Sequence, residues 1–105
     1  MLEAARKASS YVQGQTWASF SKDSARQDAV AYQIQVIGEA ATSVSQEFRD
    51  AHPEVPWAMI IGMRHKIVHN YRDLRRDILW STAQDDLPDL IRLLEPLIPP
   101  PPEEP

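Results

Sequence analysis

The sequence predicts an all-α domain, a four- to five-helix up-and-down bundle, from three observations. Apolar residues recur at helical spacing in four separate stretches, most clearly Val30, Ile34, Ile37, Ala41, Val44 and Phe48, which alternate steps of four and three. No stretch alternates with the period of two that marks a strand, and no internal repeat is visible. At 105 residues the chain is one small domain with a modest core.

Taken in order, Met1 to about Gln13 reads as a first helix with Leu2, Ala5, Ala8 and Val12 on one side. It begins without a capping residue, and an earlier turn is expected ahead of it. Gly14 to Phe20 is a connector, and Ser21 or Asp23 is placed to cap the second helix. That helix carries the long seam, interrupted by Gly38. A glycine there costs about 1 kcal/mol against alanine, so it is expected where another helix crosses closely. Arg49 to Val55, with Pro53 and Pro56, turns the chain into the third helix, with Pro56 at its first position. Asp73 or Asp77 can cap a fourth helix whose stripe is Leu79, Ala83, Leu87, Leu90, Ile91, Leu94 and Leu97. Pro88 falls inside it, so this element is kinked or is two shorter helices. Residues 1–98 are thus assigned to the bundle. The proline- and glutamate-rich stretch 99–105 is expected to be a disordered tail, more simply a solvated terminus than a ligand for a proline-binding domain.

Composition removes several classes of function. With no cysteine, there are no disulfides, thiolate metal sites or cysteine nucleophiles. No apolar run approaches the roughly 18 residues of a membrane span and no signal peptide is visible, so a cytoplasmic location is expected. A net charge of −4 argues against a generally basic nucleic-acid binder. The cations are nevertheless unevenly placed. Arg64, Lys66, Arg72, Arg75 and Arg76 are five of the eleven Lys and Arg, gathered within thirteen residues beside a single acid, Asp73. A local basic patch on an acidic body can hold a phosphate chain.

The stretch from Pro56 to Arg76 concentrates the titratable chemistry. Trp57, Ile60, Ile61, Val68 and Tyr71 share one helical stripe, and Arg64 lies on the same stripe. A guanidinium in that position should be paired or should face a cavity or a partner. His65, Lys66, His69 and Asn70 follow on the polar side. Trp57, Met59, Ile60 and Met63 cover more of the helix than one neighbour needs, which predicts a homodimer.

Arg64 and His69 are five residues apart, about 140° around a regular helix, so they do not converge on one group within a single helix. A two-fold dimer that faces this helix with its mate would line one cleft with two arginines and two histidines. For an RNA phosphodiester that set suffices: histidine moves the proton of the 2′-hydroxyl or of the leaving oxygen, and arginine stabilises the phosphate. His65 and His69 also stand at a metal-ligand spacing. The intervening residues do not make HExxH, and only His52 remains as a third imidazole, so no metal or other cofactor is expected. Duller roles compete: a buried, salt-paired Arg64, a His69 that caps the helix end, a Tyr71 that is only an aromatic anchor.

Arg64-His65-Lys66-Ile67-Val68-His69-Asn70-Tyr71 fits the pattern Arg, four residues, His, one residue, Tyr. Together with YQIQVIGEAA at Tyr32 to Ala41, PEVPWAMIIGMRHKIVHNY and DLPDL, it resembles the HEPN-domain proteins of the HepT-like toxin group, over nearly the whole chain from Leu2 to Leu97. Relatives usually carry additional residues before LEAARK, so the first helix is expected to be shortened here. The resemblance implies a HEPN-like bundle that dimerises, and a metal-independent endoribonuclease with Arg64 and His69 as the catalytic pair. It implies RNA as substrate, with His65, Lys66, Asn70 and Arg72 as supporting contacts. It also implies a toxin of a type VII-like toxin–antitoxin system, a homodimer that can sit within a larger hetero-oligomer, whose MNT-type nucleotidyltransferase antitoxin silences it by AMPylation of Tyr71. The rival expectation is a non-catalytic dimeric module that binds nucleotide or RNA in the service of such a partner.

Overall fold

The computed structural model describes residues 1–69 and 75–98, and every regular element among them is helical. Helix α1 (Leu2–Val12) buries Leu2, Ala4, Ala5, Ala8 and Val12. Ala5 and Ala8 are fully buried, and their small side chains let α1 lie close on the seam helix α3 (Ser24–Ser43). The two run in opposite directions. Tyr11, near the end of α1, meets Arg26 at the start of α3, while Met1 and Ala4 share a depression with Tyr32 and Val36.

The connector after α1 is more structured than its sequence suggests. Gly14 reverses the chain with φ +74°, a conformation that glycine adopts without steric cost. Thr16 then opens a one-turn helix, α2 (Trp17–Phe20), through a capping box in which Thr16 Oγ1 accepts from the Ser19 amide at 3.1 Å and Ser19 Oγ accepts from the Thr16 amide at 2.9 Å. The short helix delivers Phe20 to the core, where its full burial contributes roughly 1.5–3 kcal/mol. Phe20 packs on Trp80 with ring centroids 5.1 Å apart, and Trp17 meets the same ring edge-on. Of the two expected caps for α3, Asp23 is the one used: its Oδ1 accepts from the Arg26 amide at 3.0 Å. The Arg26 guanidinium returns to Asp23 Oδ2 and also donates to the Tyr11 carbonyl at 2.6 Å, which ties α1 to the start of α3. Buried Gln27 donates to the Phe20 carbonyl at 2.8 Å, which offsets the desolvation of its amide.

The seam does not run unbroken to Phe48. Val44 and Ser45 turn extended, Ser45 caps a separate helix α4 (Gln46–Ala51), and Phe48 stays 39% exposed. Arg49 closes the break by donating to the carbonyls of Val44 and Thr42 at 3.1 and 3.2 Å, where the end of α3 leaves acceptors unsatisfied. The next helix, α5 (Trp57–His69), starts one residue later than expected: the Pro56 carbonyl accepts from the Ile60 amide at 3.1 Å, so proline flanks the first turn. The remaining chain resolves the question raised by Pro88. Two shorter helices, α6 (Arg76–Ser81) and α7 (Leu87–Leu94), are joined by a wide π-type turn over Thr82–Asp86, and Pro88 sits in the first turn of α7, where no amide is needed. A 3₁₀ turn over Glu95–Leu97 follows. Asp77 lies within α6 rather than capping it, and Asp73 and the tail 99–105 lie outside the described residues.

Helix α3 is the centre of the bundle, packed against α1 on one side and α5 on the other, with α7 completing the core against α1. Ile34, Ile37, Ile60, Leu87 and Leu90 line a small gap in that packing, which Met59 and Asp86 border on its outer side. No helix among the described residues is long and apolar enough to cross a membrane.

Candidate active site

Helix α5 positions the chemistry because its apolar face is committed to α3. Val55, Trp57 and Ile60 are buried, and the Trp57 indole N–H donates to the His52 carbonyl at 2.9 Å. That anchoring fixes the rotation of α5, and with it the place of Arg64.

Arg64 crosses α3 at Gly38. A Cβ built on Gly38 would stand 2.3 Å from Arg64 Cβ and 2.9 Å from its Cδ. The arginine stem therefore lies directly on the α3 backbone, at a distance only glycine permits. The side chain is 27% exposed, and its terminal nitrogen reaches Glu39 Oε1 at 3.4 Å. Its Nε is buried and makes no hydrogen bond to the described residues. The expected pairing of this guanidinium is thus found, through one long contact. Sequence reasoning had not identified Glu39 as the partner. The signal available was an acid directly after the seam glycine, and its meaning depends on the crossing angle of two helices.

His65 and Lys66 are exposed on the outer side of α5. His65 borders an open groove between α4 and α5, about 930 Å³, whose walls include Arg49, Pro53, Trp57, Met59 and Ile61. Position 69 follows position 65 by one helical turn on the same element. Asn70, Tyr71 and Arg72 lie outside the described residues. His52, the third imidazole, pairs with Glu54 at 3.0 Å, and no group of three or more His, Asp or Glu side chains gathers among the described residues. The backbone amide of Glu54 and then His52 hold the Glu54 carboxyl below its usual range.

The basic segment is partly engaged with its own chain. Arg75 forks onto Asp77 through contacts of 3.0 and 2.8 Å, which lowers the Asp77 pKa and raises that of Arg75. Arg76 donates to the Ser21 carbonyl at 2.8 Å. The positive potential available to a phosphate is accordingly smaller than the residue count alone indicates.

A family model described as Ribonuclease HepT-like matches residues 1–97. The chain belongs to the HepT-like ribonuclease family. Among the relatives of this HepT-like chain, one from Caldanaerobacter subterraneus subsp. tengcongensis, provisionally named an RNase, is 33% identical over 87 residues, covering 83% of this chain and 78% of its own length. A Thermococcus cleftensis protein named probable ribonuclease HepT is 37% identical over 71 residues, 68% of this chain and 64% of its own length. A third, from Methanocaldococcus jannaschii and also provisionally named an RNase, is 32% identical over 83 residues, 79% of this chain and 69% of its own length. No solved structure matches the chain.

Proposed function

We propose that this chain is a metal-independent endoribonuclease, the toxin of a HepT/MNT-type pair, acting as a homodimer. The observation that carries the proposal is the placement of Arg64: a cation fixed at a helix crossing in a HepT-like chain, with a buried Nε that has no acceptor among the described residues. His69 is on the same helix, and a regular helix separates the two positions by about 140°. A cleft shared by the α5 helices of two protomers brings an arginine of one to a histidine of the other.

In this mechanism His69 takes the proton of the 2′-hydroxyl. The 2′ oxygen bonds to phosphorus, the bond from phosphorus to the 5′ oxygen breaks, and a histidine returns a proton to the leaving 5′ oxygen. The products are a 2′,3′-cyclic phosphate and a 5′-hydroxyl. Arg64 stabilises the charge that grows on the phosphoryl oxygens, and Lys66, His65, Asn70 and Arg72 hold the flanking chain. The nucleotidyltransferase partner silences the site by transfer of AMP: the Tyr71 oxygen bonds to the α-phosphorus of ATP, pyrophosphate leaves and the phenolic proton is lost. The added phosphate would bring negative charge and bulk to the cleft and repel or block RNA.

Incubation of single-stranded RNA with purified protein in EDTA tests this. Wild type is expected to cleave. His69→Ala should lose about 10²–10⁴-fold in rate and keep its RNA affinity. Arg64→Ala should lose cleavage and also bind RNA more weakly, by roughly 1.5–3 kcal/mol. Cleavage that stops in EDTA and returns with zinc or manganese would instead assign His65 and His69 to a metal.

A further inference from the structure

We propose that Glu39 is a positioning residue for Arg64, and that the Gly38-Glu39 step of α3 is built to aim the guanidinium. The inference rests on the assignment of Arg64 to phosphate binding. Gly38 removes the Cβ that would collide with the arginine stem, so the stem lies across α3 and delivers its head to the next residue, Glu39. The contact is 3.4 Å, longer than the 2.7–2.9 Å usual for a charge-assisted hydrogen bond, and Glu39 is 65% exposed. A long pair on a largely solvated carboxylate contributes little to stability. It does restrict rotation about the last bonds of the arginine. Glu39 engages one terminal nitrogen, and with Nε buried this leaves the other terminal NH2 group of the fork to meet a phosphate. A carboxylate in that place costs RNA affinity through repulsion, and orientation of the cation is the compensating gain.

The test compares wild type, Glu39→Ala and Glu39→Gln by three readouts on the full-length protein: thermal midpoint, kcat and KM for RNA cleavage, and the rate at which phenylglyoxal labels Arg64, followed by peptide mass. Glu39→Ala is expected to keep the wild-type midpoint and to lose kcat on the order of tenfold to 10²-fold, with KM unchanged or lower. Arg64 should be labelled several-fold faster, because its guanidinium is no longer held. Glu39→Gln keeps an oxygen acceptor and should restore much of kcat and of the slow labelling. Wild-type cleavage and wild-type labelling in Glu39→Ala would overturn the proposal. So would a midpoint that falls together with activity and is not rescued by Glu39→Gln, because Glu39 would then be structural. If wild type cleaves no RNA while labelling follows the expected order, the nuclease assignment fails and the aiming of Arg64 by Glu39 stands.

Discussion

Gly38 is the residue on which the geometry of the candidate site turns. Alanine in a helix interior gains about 1 kcal/mol over glycine. Here the new Cβ would meet Arg64 Cβ at 2.3 Å, and an atom that close to the backbone of α5 cannot swing away. Overpacking of this kind costs roughly 1–3 kcal/mol, so the net effect of Gly38→Ala should be a loss of stability, read as a lower thermal midpoint. Adding Arg64→Ala should recover little, since the colliding Cβ remains. A Gly38→Ala protein more stable than wild type would show that the helices do not cross as closely as described. Tyr71 carries the second prediction at this scale. Tyr71→Phe keeps the ring and removes the oxygen proposed to accept AMP, so it should fold normally and escape the proposed nucleotidyltransferase partner. Intact mass after co-expression with the partner and ATP checks this, and an adduct on Tyr71→Phe equal to that on wild type would reduce Tyr71 to an anchor.

Among the elements, α3 shows how a charge at a helix start enters stability. The backbone amide of Arg26, and then its side chain, hold the Asp23 carboxyl below its usual range. A depressed carboxylate contributes stability above its unfolded value, near 3.9, and that contribution is lost as pH falls through the folded value. Asp23→Ala should therefore lower the thermal midpoint at neutral pH, and the deficit should shrink as both proteins are taken below about pH 4. A deficit that stays constant into strong acid would rule out the cap as its source. The sequence narrowed this cap to Ser21 or Asp23 and the element around Pro88 to a kinked helix or two shorter ones, because both features are local: a side chain acts within a few residues of itself. The end of α3 was not. The four-three apolar spacing continues through Val44 to Phe48, and nothing in that spacing reveals that Arg49 folds back onto the Thr42 and Val44 carbonyls and stabilises a break. Helix α2 was hidden because one turn is shorter than the window in which periodicity can be read. For the site, the stripe position of Arg64 foretold a guanidinium that is paired or that faces a cavity or a partner, whereas the identity of Glu39 on α3 depends on a helix crossing that sequence spacing does not encode.

For the whole molecule, the question is how a bundle whose single α5 helix separates Arg64 from His69 can act on one phosphate. The proposed answer is two protomers related by a two-fold axis, each lending one of the pair, and it predicts complementation. Arg64→Ala and His69→Ala proteins should each be dimeric and inactive. When they are mixed under conditions that exchange protomers, half the dimers become mixed, and each mixed dimer holds one site with an intact arginine from one chain and an intact histidine from the other. RNA cleavage should then rise well above that of either parent, to about a quarter of the wild-type level where the shared cleft works as two independent arginine–histidine sites. Mixed dimers, verified by mass, that remain as inactive as either parent would contradict a site shared between protomers.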